Sequence, residues 1–201
     1  IFDAFNEIFE LSKTNEHAKK VVEEWANATW FTEKTDIEEQ IKLTVYKVTG
    51  EINTDDLSPA PDAWSRPDIP LHALAMFKMP RTGLDDPLGT IEKLKEKGNP
   101  LVFVGDVVGT GSSRKSATNS VLWHMGDEIP CIPNKKEGGY CFGGKIAPIF
   151  FNTLEDSGAF PIEMDVSKML MGQEIILEPL NGRVLDANTK EVISEFELKT
   201  D

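Results

Sequence analysis

The segment Gly-Thr-Gly-Ser-Ser-Arg at residues 109–114 contains the side chains best suited to chemistry in this chain. The hydroxyls of Ser112 and Ser113 precede Arg114, whose guanidinium group can bind a carboxylate or a phosphate through two parallel hydrogen bonds. An apolar, strand-like run comes before this segment, and a helix is predicted after it at 116–125. Unpaired backbone N–H groups at the start of such a helix attract anions. The pattern therefore indicates either a binding seat for a small anion or an ordinary turn between a strand and a helix.

The order of residues in this segment excludes three common motifs. The Gly-x4-Gly-Lys-Ser/Thr order of a nucleotide-binding P-loop is absent. The third glycine of the dinucleotide-binding fingerprint is missing. A serine-hydrolase nucleophile needs Gly-x-Ser-x-Gly, which the segment does not have.

A second polar segment, centred on Asp55 and Asp56, has the composition of a turn closed by an Asp side chain. Arg81 follows a short predicted helix and, taken alone, is a surface cation favoured by the helix dipole. His72 and His124 are predicted to be packed or surface residues and not metal ligands. Each of these features taken alone is compatible with a purely structural role.

Together these segments resemble the aconitase superfamily and, within it, the bacterial aconitase B type. The resemblance lies in Thr-Asp-Asp-Leu-Ser-Pro-Ala at 54–60, the proline-rich stretch at 59–75, Val-Gly-Thr-Gly-Ser-Ser-Arg-Lys-Ser-Ala-Thr-Asn-Ser at 108–120, and Gly-Gly-Lys-Ile-Ala-Pro-Ile-Phe-Phe-Asn-Thr at 143–153. It covers about residues 40–201. The helical start resembles the end of that type's N-terminal helical-repeat domain.

The resemblance implies a reversible dehydration and rehydration that converts citrate to isocitrate through cis-aconitate, with 2-methylisocitrate as a further substrate. It implies that Ser112 is the base that removes the substrate proton, and that Ser113 and Arg114 bind a substrate carboxylate. Arg81 is expected to be a further carboxylate ligand. Supporting roles are expected for three residues of the second polar segment: Thr54, Asp55 and Asp56.

The resemblance also implies a [4Fe–4S] cluster, which three cysteines bind on a different domain of the family's enzymes. Neither Cys131 nor Cys141 matches those cysteines, and their spacing is a weak metal signal. We therefore expect no metal and no cofactor in this chain, and no turnover of citrate by the chain alone. Its expected partners are the tricarboxylate substrate and the cluster-bearing domains of the same polypeptide.

Composition narrows the remaining classes of function. The net charge of −13 argues against nucleic-acid or anionic-membrane binding by this segment, so RNA binding is expected only of a full-length protein. No apolar run approaches the ~20 residues that span a bilayer. The chain has no initiator Met and no signal-peptide pattern, and two cysteines are too few for a disulfide framework. We expect a cytoplasmic segment of a longer chain.

The predicted fold class is α/β, with two parts. The resemblance implies that residues 1–38 are the end of a HEAT-like helical domain and a linker, and these helices are a candidate homodimer contact. It also implies that residues 39–201 form a swivelling β/β/α domain with a mixed, barrel-like sheet. The individual predictions are a helical hairpin before residue 31, a strand at 41–45, loop at 53–70, helices at 71–79 and 91–97, a strand at 101–104, and strands at 174–180, 183–185 and 192–198 with a turn at Asn181-Gly182.

Two other functions remain in competition. The first is a small subunit of a two-chain hydro-lyase such as isopropylmalate isomerase, which the helical start disfavours. The second is a non-catalytic module for RNA regulation or dimerisation, which the acidic charge disfavours for RNA.

Overall fold

The computed structural model describes residues 2–32, 37–62, 65–112, 114–130 and 132–199. The chain forms two compact units, Ile1–Ile37 and Glu38–Asp201. Among the described residues, no helix has the length and apolar character needed to cross a membrane.

The described residues of the first unit form the helices α1 (Phe2–Ser12), α2 (Glu16–Asn27) and α3 (Thr29–Thr32). Asn15 ends the turn after α1 and caps α2, because its side chain accepts hydrogen bonds from the backbone N–H groups of His17 and Ala18. Phe5 stacks on Trp25 with ring centroids 5.9 Å apart, which joins α1 to α2. The predicted helical hairpin is confirmed.

In the part of the second unit that the structure describes, there are nine strands: β1 (Ile41–Asn53), β2 (Leu101–Thr110), β3 (Asp127–Ile129), β4 (Ile132–Glu137), β5 (Tyr140–Ile146), β6 (Phe160–Glu163), β7 (Glu174–Glu178), β8 (Arg183–Asp186) and β9 (Val192–Glu195). Seven of them form one sheet in the order β6-β5-β2-β1-β7-β8-β9. The strands from β6 to β1 pair in parallel, and those from β1 to β9 pair antiparallel. The predicted α/β class with a mixed sheet is confirmed. β3 and β4 form a separate hairpin.

The α-helices that accompany the sheet among the described residues are α4 (Thr54–Leu57), α5 (Ile69–Ala73), α6 (Pro87–Lys95), α7 (Lys115–Met125) and α8 (Pro148–Asp156). Helix α4 lies inside the region predicted as loop. It forms because the Asn53 side chain accepts a hydrogen bond from the Asp56 N–H, while the Asp56 carboxylate accepts one from the Asn53 N–H. The helix predicted at 71–79 starts earlier and stops at Ala73, and Phe77 beyond it has a left-handed φ of +56°.

Several predicted elements have different bounds. The strands predicted at 41–45 and 101–104 are the first parts of much longer strands, β1 and β2. The glycine-rich run at 138–151 contains all of β5 and the start of α8. The connection between β7 and β8 is a short 3₁₀ turn that ends at Gly182 in the left-handed conformation, so the predicted hairpin exists with a longer loop.

The sheet has an apolar core on each face because neighbouring residues of its central strands point in opposite directions. Tyr46 and Phe103 face the side covered by the helices, and their rings lie 6.0 Å apart. Val45 and Val102 face the other side, where they pack with Met164 and other apolar residues that follow β6. Burial on both faces fixes the register of β1 and β2, since a shift by one residue would exchange the two cores.

Gly109, in β2, is required by both its backbone and its surroundings. Its φ is +78°, and a Cβ atom at this position would overlap the ring of Phe150 in α8. The close approach of α8 to β2 therefore depends on the absence of a side chain here. Gly98 has a similar φ of +81°, but a Cβ atom there would meet no atom within 4 Å.

We expect Gly109→Ala to lower the free energy of unfolding by about 3 kcal/mol, because it adds an overpacked methyl group to the left-handed strain. Gly98→Ala should lower the free energy of unfolding by about 1 kcal/mol, because it adds only the left-handed strain. Urea denaturation of both variants measures the difference. Equal losses would show that the ring of Phe150 moves away at little cost.

Cys141 in β5 lies fully inside the core, and this burial raises the pKa of its thiol to about 12. The thiol should therefore remain protonated and unreactive at about pH 8, because only the thiolate is a good nucleophile. We expect iodoacetamide to leave Cys141 unmodified in the folded chain and to modify it in guanidinium chloride, as measured by peptide mass spectrometry. Modification of the native chain at the rate of the unfolded one would contradict the burial.

Candidate functional site

The candidate site lies where three parallel strands end. Asn53, the last residue of β1, pairs with Thr110, the last residue of β2. Val108 of β2 pairs in turn with Ile146, the last residue of β5. Each strand leads directly or through a short loop into a helix, which is α4, α7 or α8. Segments that are distant in sequence thus meet at the carboxyl edge of the sheet, where open α/β folds commonly bind ligands.

The loop between β2 and α7 is short and exposes Ser112. Gly111, with a φ of +91°, turns the chain after β2, and α7 begins at Lys115. The side-chain hydroxyl of Thr54 donates a hydrogen bond to the Ser112 carbonyl over 2.7 Å, which ties the loop to α4. The side chain of the N-cap residue of α7 accepts no hydrogen bond from the start of this 11-residue helix. Its first backbone N–H groups are therefore available to bind an anion.

Arg114 is the N-cap residue of α7, and α4 holds its side chain. Its Nη1 donates to the Asp55 carboxylate and, over 3.0 Å, to the carbonyl oxygen of Ser58. Among the described residues, these bonds use only Nη1, which leaves the Nη2–Nε edge for a bidentate carboxylate. The guanidinium also holds the pKa of Asp55 below its usual range. Asp55 therefore stays charged until the pH falls through that lowered pKa, and the ion pair persists above it.

Arg81 also bonds to α4, but by a separate set of contacts. Its Nη1 lies 3.3 Å from the Asp56 carboxylate, and its Nη2 donates to the carbonyl oxygens of Thr49 and Glu51 over 2.7 and 2.5 Å. These contacts join Arg81 to the bulge in β1. Three of its five N–H donors are engaged among the described residues, so at most two remain for a ligand.

A cavity of about 120 Å³ lies beside Arg114. Its wall is polar on one side, with Thr54, Gly111 and Arg114, and apolar on the other, where α8 contributes Ile149 and Phe150. Arg81 does not line this cavity and instead borders a groove of about 700 Å³. The structure thus brings Arg114, Thr54, Asp55 and the Ser112 loop together. Arg81 lies outside this group, where it bonds to Asp56 of α4 and to β1.

Sequence reasoning missed one cluster behind α4. Ser58 Oγ lies 2.7 Å from His72 Nε2 and 2.6 Å from Ser116 Oγ. His72 was predicted to be a packed or surface residue, and it is buried as that prediction allows. Ser58, His72 and Ser116 follow one another at intervals of 14 and 44 residues, which match no sequence motif. Only the fold brings the segments that carry them together. His124 is buried too, and its Nε2 bonds to the Ala73 carbonyl.

The described residues do not fit an iron–sulfur cluster. Cys141 is enclosed by apolar side chains, and burial raises the pKa of its thiol, whereas cluster binding needs thiolates. No group of three metal-ligating side chains lies together in the part of the chain that the structure describes. Ser113 and Cys131 lie outside the described residues.

Comparisons with known proteins agree with the sequence resemblance. The family described as "Aconitate hydratase 2 N-terminus" matches residues 43–201, and the one described as "Aconitate B N-terminal domain" matches residues 1–31. The chain is 59% identical to aconitate hydratase B of Escherichia coli over 100% of its length, 58% identical to that of Pseudomonas aeruginosa over 100%, and 52% identical to that of Helicobacter pylori over 99%. It spans only 24%, 24% and 23% of these relatives.

The fold also occurs in a solved structure of a more distant protein. The 3-isopropylmalate dehydratase of Methanocaldococcus jannaschii aligns with a TM-score of 0.56 at 19% identity, covering 79% of this chain and 83% of that one. At this identity the likeness shows the shared fold alone. The family match over most of the chain goes further, and from it we conclude that this chain belongs to the aconitate hydratase 2 N-terminus family.

Proposed function

We propose that this chain supplies the proton-removing and carboxylate-binding part of a hydro-lyase that interconverts citrate and isocitrate through cis-aconitate. The observation that carries the proposal is the arrangement of Ser112 and Arg114 at the start of α7. Ser112 is exposed, and Arg114 has a guanidinium edge that is open to a carboxylate. The 52–59% identity to proteins named aconitate hydratase B supports the choice of substrate class.

Ser112 is proposed as the base that takes the proton from the substrate carbon. A serine hydroxyl has no basicity at neutral pH unless its alkoxide is stabilised. The backbone N–H groups at the start of α7, which have no side-chain cap, and the positive charge of Arg114 are proposed to stabilise that alkoxide. The hydrogen bond from Thr54 holds the Ser112 carbonyl and thereby limits the positions of the hydroxyl.

Arg114 is proposed to bind a substrate carboxylate through its Nη2–Nε edge, with Ser113 as an additional ligand. Asp55 and the Ser58 carbonyl fix the plane of the guanidinium group before any ligand arrives. Such preorganisation reduces the entropy lost on binding. Arg81 is proposed as a second carboxylate ligand through its remaining donors, with Asp56 in support.

The [4Fe–4S] cluster of the resemblance is proposed to belong to another part of the full-length protein, since the cysteine chemistry described above does not fit it here. No step of the reaction is assigned to it. The cluster-bearing domains are the proposed partners of this chain, together with a tricarboxylate substrate. Four further points remain predictions. They are a homodimer contact through residues 1–38, RNA binding by the full-length protein, a cytoplasmic location, and the assignment of residues 1–38 to a helical-repeat domain and of residues 39–201 to a swivelling domain.

A small-subunit role in a two-chain isopropylmalate isomerase is the weaker alternative. The isopropylmalate dehydratase neighbour supports the fold and not the activity. The identities of 52–59%, which extend across 99–100% of this chain, are all to aconitate hydratase B.

We expect Ser112→Ala in the full-length protein to lower kcat for isocitrate dehydration by about 10²- to 10⁴-fold, because it removes the base. The KM should change little. Steady-state formation of cis-aconitate, followed by its ultraviolet absorbance, measures both constants. Ser12→Ala, which alters a half-buried serine at the end of α1, is the control, and retained kcat in Ser112→Ala would exclude the assigned role.

Arg114→Lys should raise the KM for isocitrate by about tenfold or more, because an ammonium group keeps the charge but cannot bind a carboxylate with two parallel bonds. The kcat should fall less than in Ser112→Ala. Lys190→Arg, at an exposed turn between β8 and β9, is a matched control for exchange of the cation type. An unchanged KM in Arg114→Lys would show that the open edge does not contact substrate.

A further inference from the structure

A chain of three hydrogen bonds runs behind the candidate site from α7 to α5. Ser116 Oγ lies 2.6 Å from Ser58 Oγ, and Ser58 Oγ lies 2.7 Å from His72 Nε2. His72 Nδ1 lies 3.1 Å from the backbone carbonyl oxygen of Arg66. Ser58 and His72 are 1% and 8% exposed, so water has little access to replace these partners.

The chemistry of the partners determines the direction of the bond to Arg66. A carbonyl oxygen only accepts, so Nδ1 of His72 must carry a proton and donate to it. In the neutral imidazole Nε2 then accepts from the Ser58 hydroxyl. Ser58 Oγ also shares a hydrogen bond with Ser116 Oγ, which lies 2.6 Å away. In this relay, these two partners together hold the Ser58 side chain in place.

Ser58 is held by its backbone as well, and the remaining group contacts the site. Its N–H donates to the Thr54 carbonyl over 2.9 Å. Its own carbonyl oxygen accepts from Nη1 of Arg114 over 3.0 Å. Any rotation of Ser58 would thus move one of the two acceptors that orient Arg114, while Ser116 would lose its partner in the first turn of α7.

We propose that His72 is a positioning residue for Arg114, acting through Ser58, so that it sets the affinity of the site for a tricarboxylate. This inference rests on the proposed function, since it takes Arg114 as a substrate ligand. His72 does not touch the ligand. It fixes the acceptor that holds the inner edge of the guanidinium group, and the outer edge then points to the carboxylate.

The test uses the full-length protein and tricarballylate, an unreactive tricarboxylate, as the probe in titration calorimetry. His72→Phe keeps the ring volume but removes both hydrogen bonds, and we expect a five- to tenfold weaker Kd. The KM for cis-aconitate should rise in parallel, with a smaller change in kcat. His72→Gln should bind within about twofold of wild type, because its Oε1 can still accept from Ser58. His72→Asn is too short to reach Ser58 and should resemble His72→Phe.

His124→Phe is the matched control. His124 is also a buried histidine, and its bond to the Ala73 carbonyl likewise joins α7 to α5, but it has no contact with Ser58 or Arg114 among the described residues. We expect this variant to lose thermal stability and to keep the wild-type Kd. The control separates loosened packing between the helices from the loss of the relay.

Three results would overturn the inference: an unchanged Kd in His72→Phe, equal weakening in His72→Phe and His124→Phe, or a Kd in His72→Gln as weak as in His72→Asn. If His72→Phe does not fold, the comparison of the Gln and Asn variants decides alone. A wild-type protein that neither hydrates cis-aconitate nor binds tricarballylate would overturn the proposed function and this inference with it. Wild-type activity with an unaffected His72→Phe would overturn the inference alone.

Discussion

The parallel pairing of β1 with β2 is the constraint on which the candidate site depends. It places Asn53 opposite Thr110, so the turn that follows one strand lies beside the loop that follows the other. The two strands are apolar on both faces, and each face is buried in its own core. Their register is therefore fixed by many side chains far from the site. The relative position of α4 and the serine loop is a consequence of that register and requires no ligand.

The short helix α4 distributes two negative charges between two arginines. Its consecutive residues Asp55 and Asp56 point to Arg114 and Arg81 respectively. Each pair is partly exposed, so its contribution to stability is modest, and its main effect is on geometry. Asp56 also closes the capping box that forms α4. Three residues, Asn53, Asp55 and Asp56, thus end a strand, form a helix and orient two cations. This explains why a segment with the composition of a loop is ordered.

Much of this arrangement could be predicted from the sequence, and the reasons for the misses are physical. The serine loop, the helix after it and the individual helices α1 and α2 depend mainly on neighbours within four residues, and the sequence pattern predicts them. The continuation of β1 to Asn53 and of β2 to Thr110 was missed because both ends pass through glycine or polar residues that tertiary pairing keeps extended. The relay through His72 was missed because it joins three elements that only the fold brings together. The roles of Ser112, Arg81 and Arg114 come from the resemblance, and the geometry supports them without testing them.

The exposure of Ser112 has a consequence for the energetics of the proposed reaction, if this residue is its base. An alkoxide on this residue would be surrounded by water, whose high dielectric constant weakens the field of Arg114 and of the α7 backbone. A second protein surface that covered the loop would remove that screening and strengthen both interactions at once. The basicity of the serine is then a property of two surfaces in contact. Proton abstraction would begin only when the substrate is already enclosed, which protects the reaction from solvent without a separate gate.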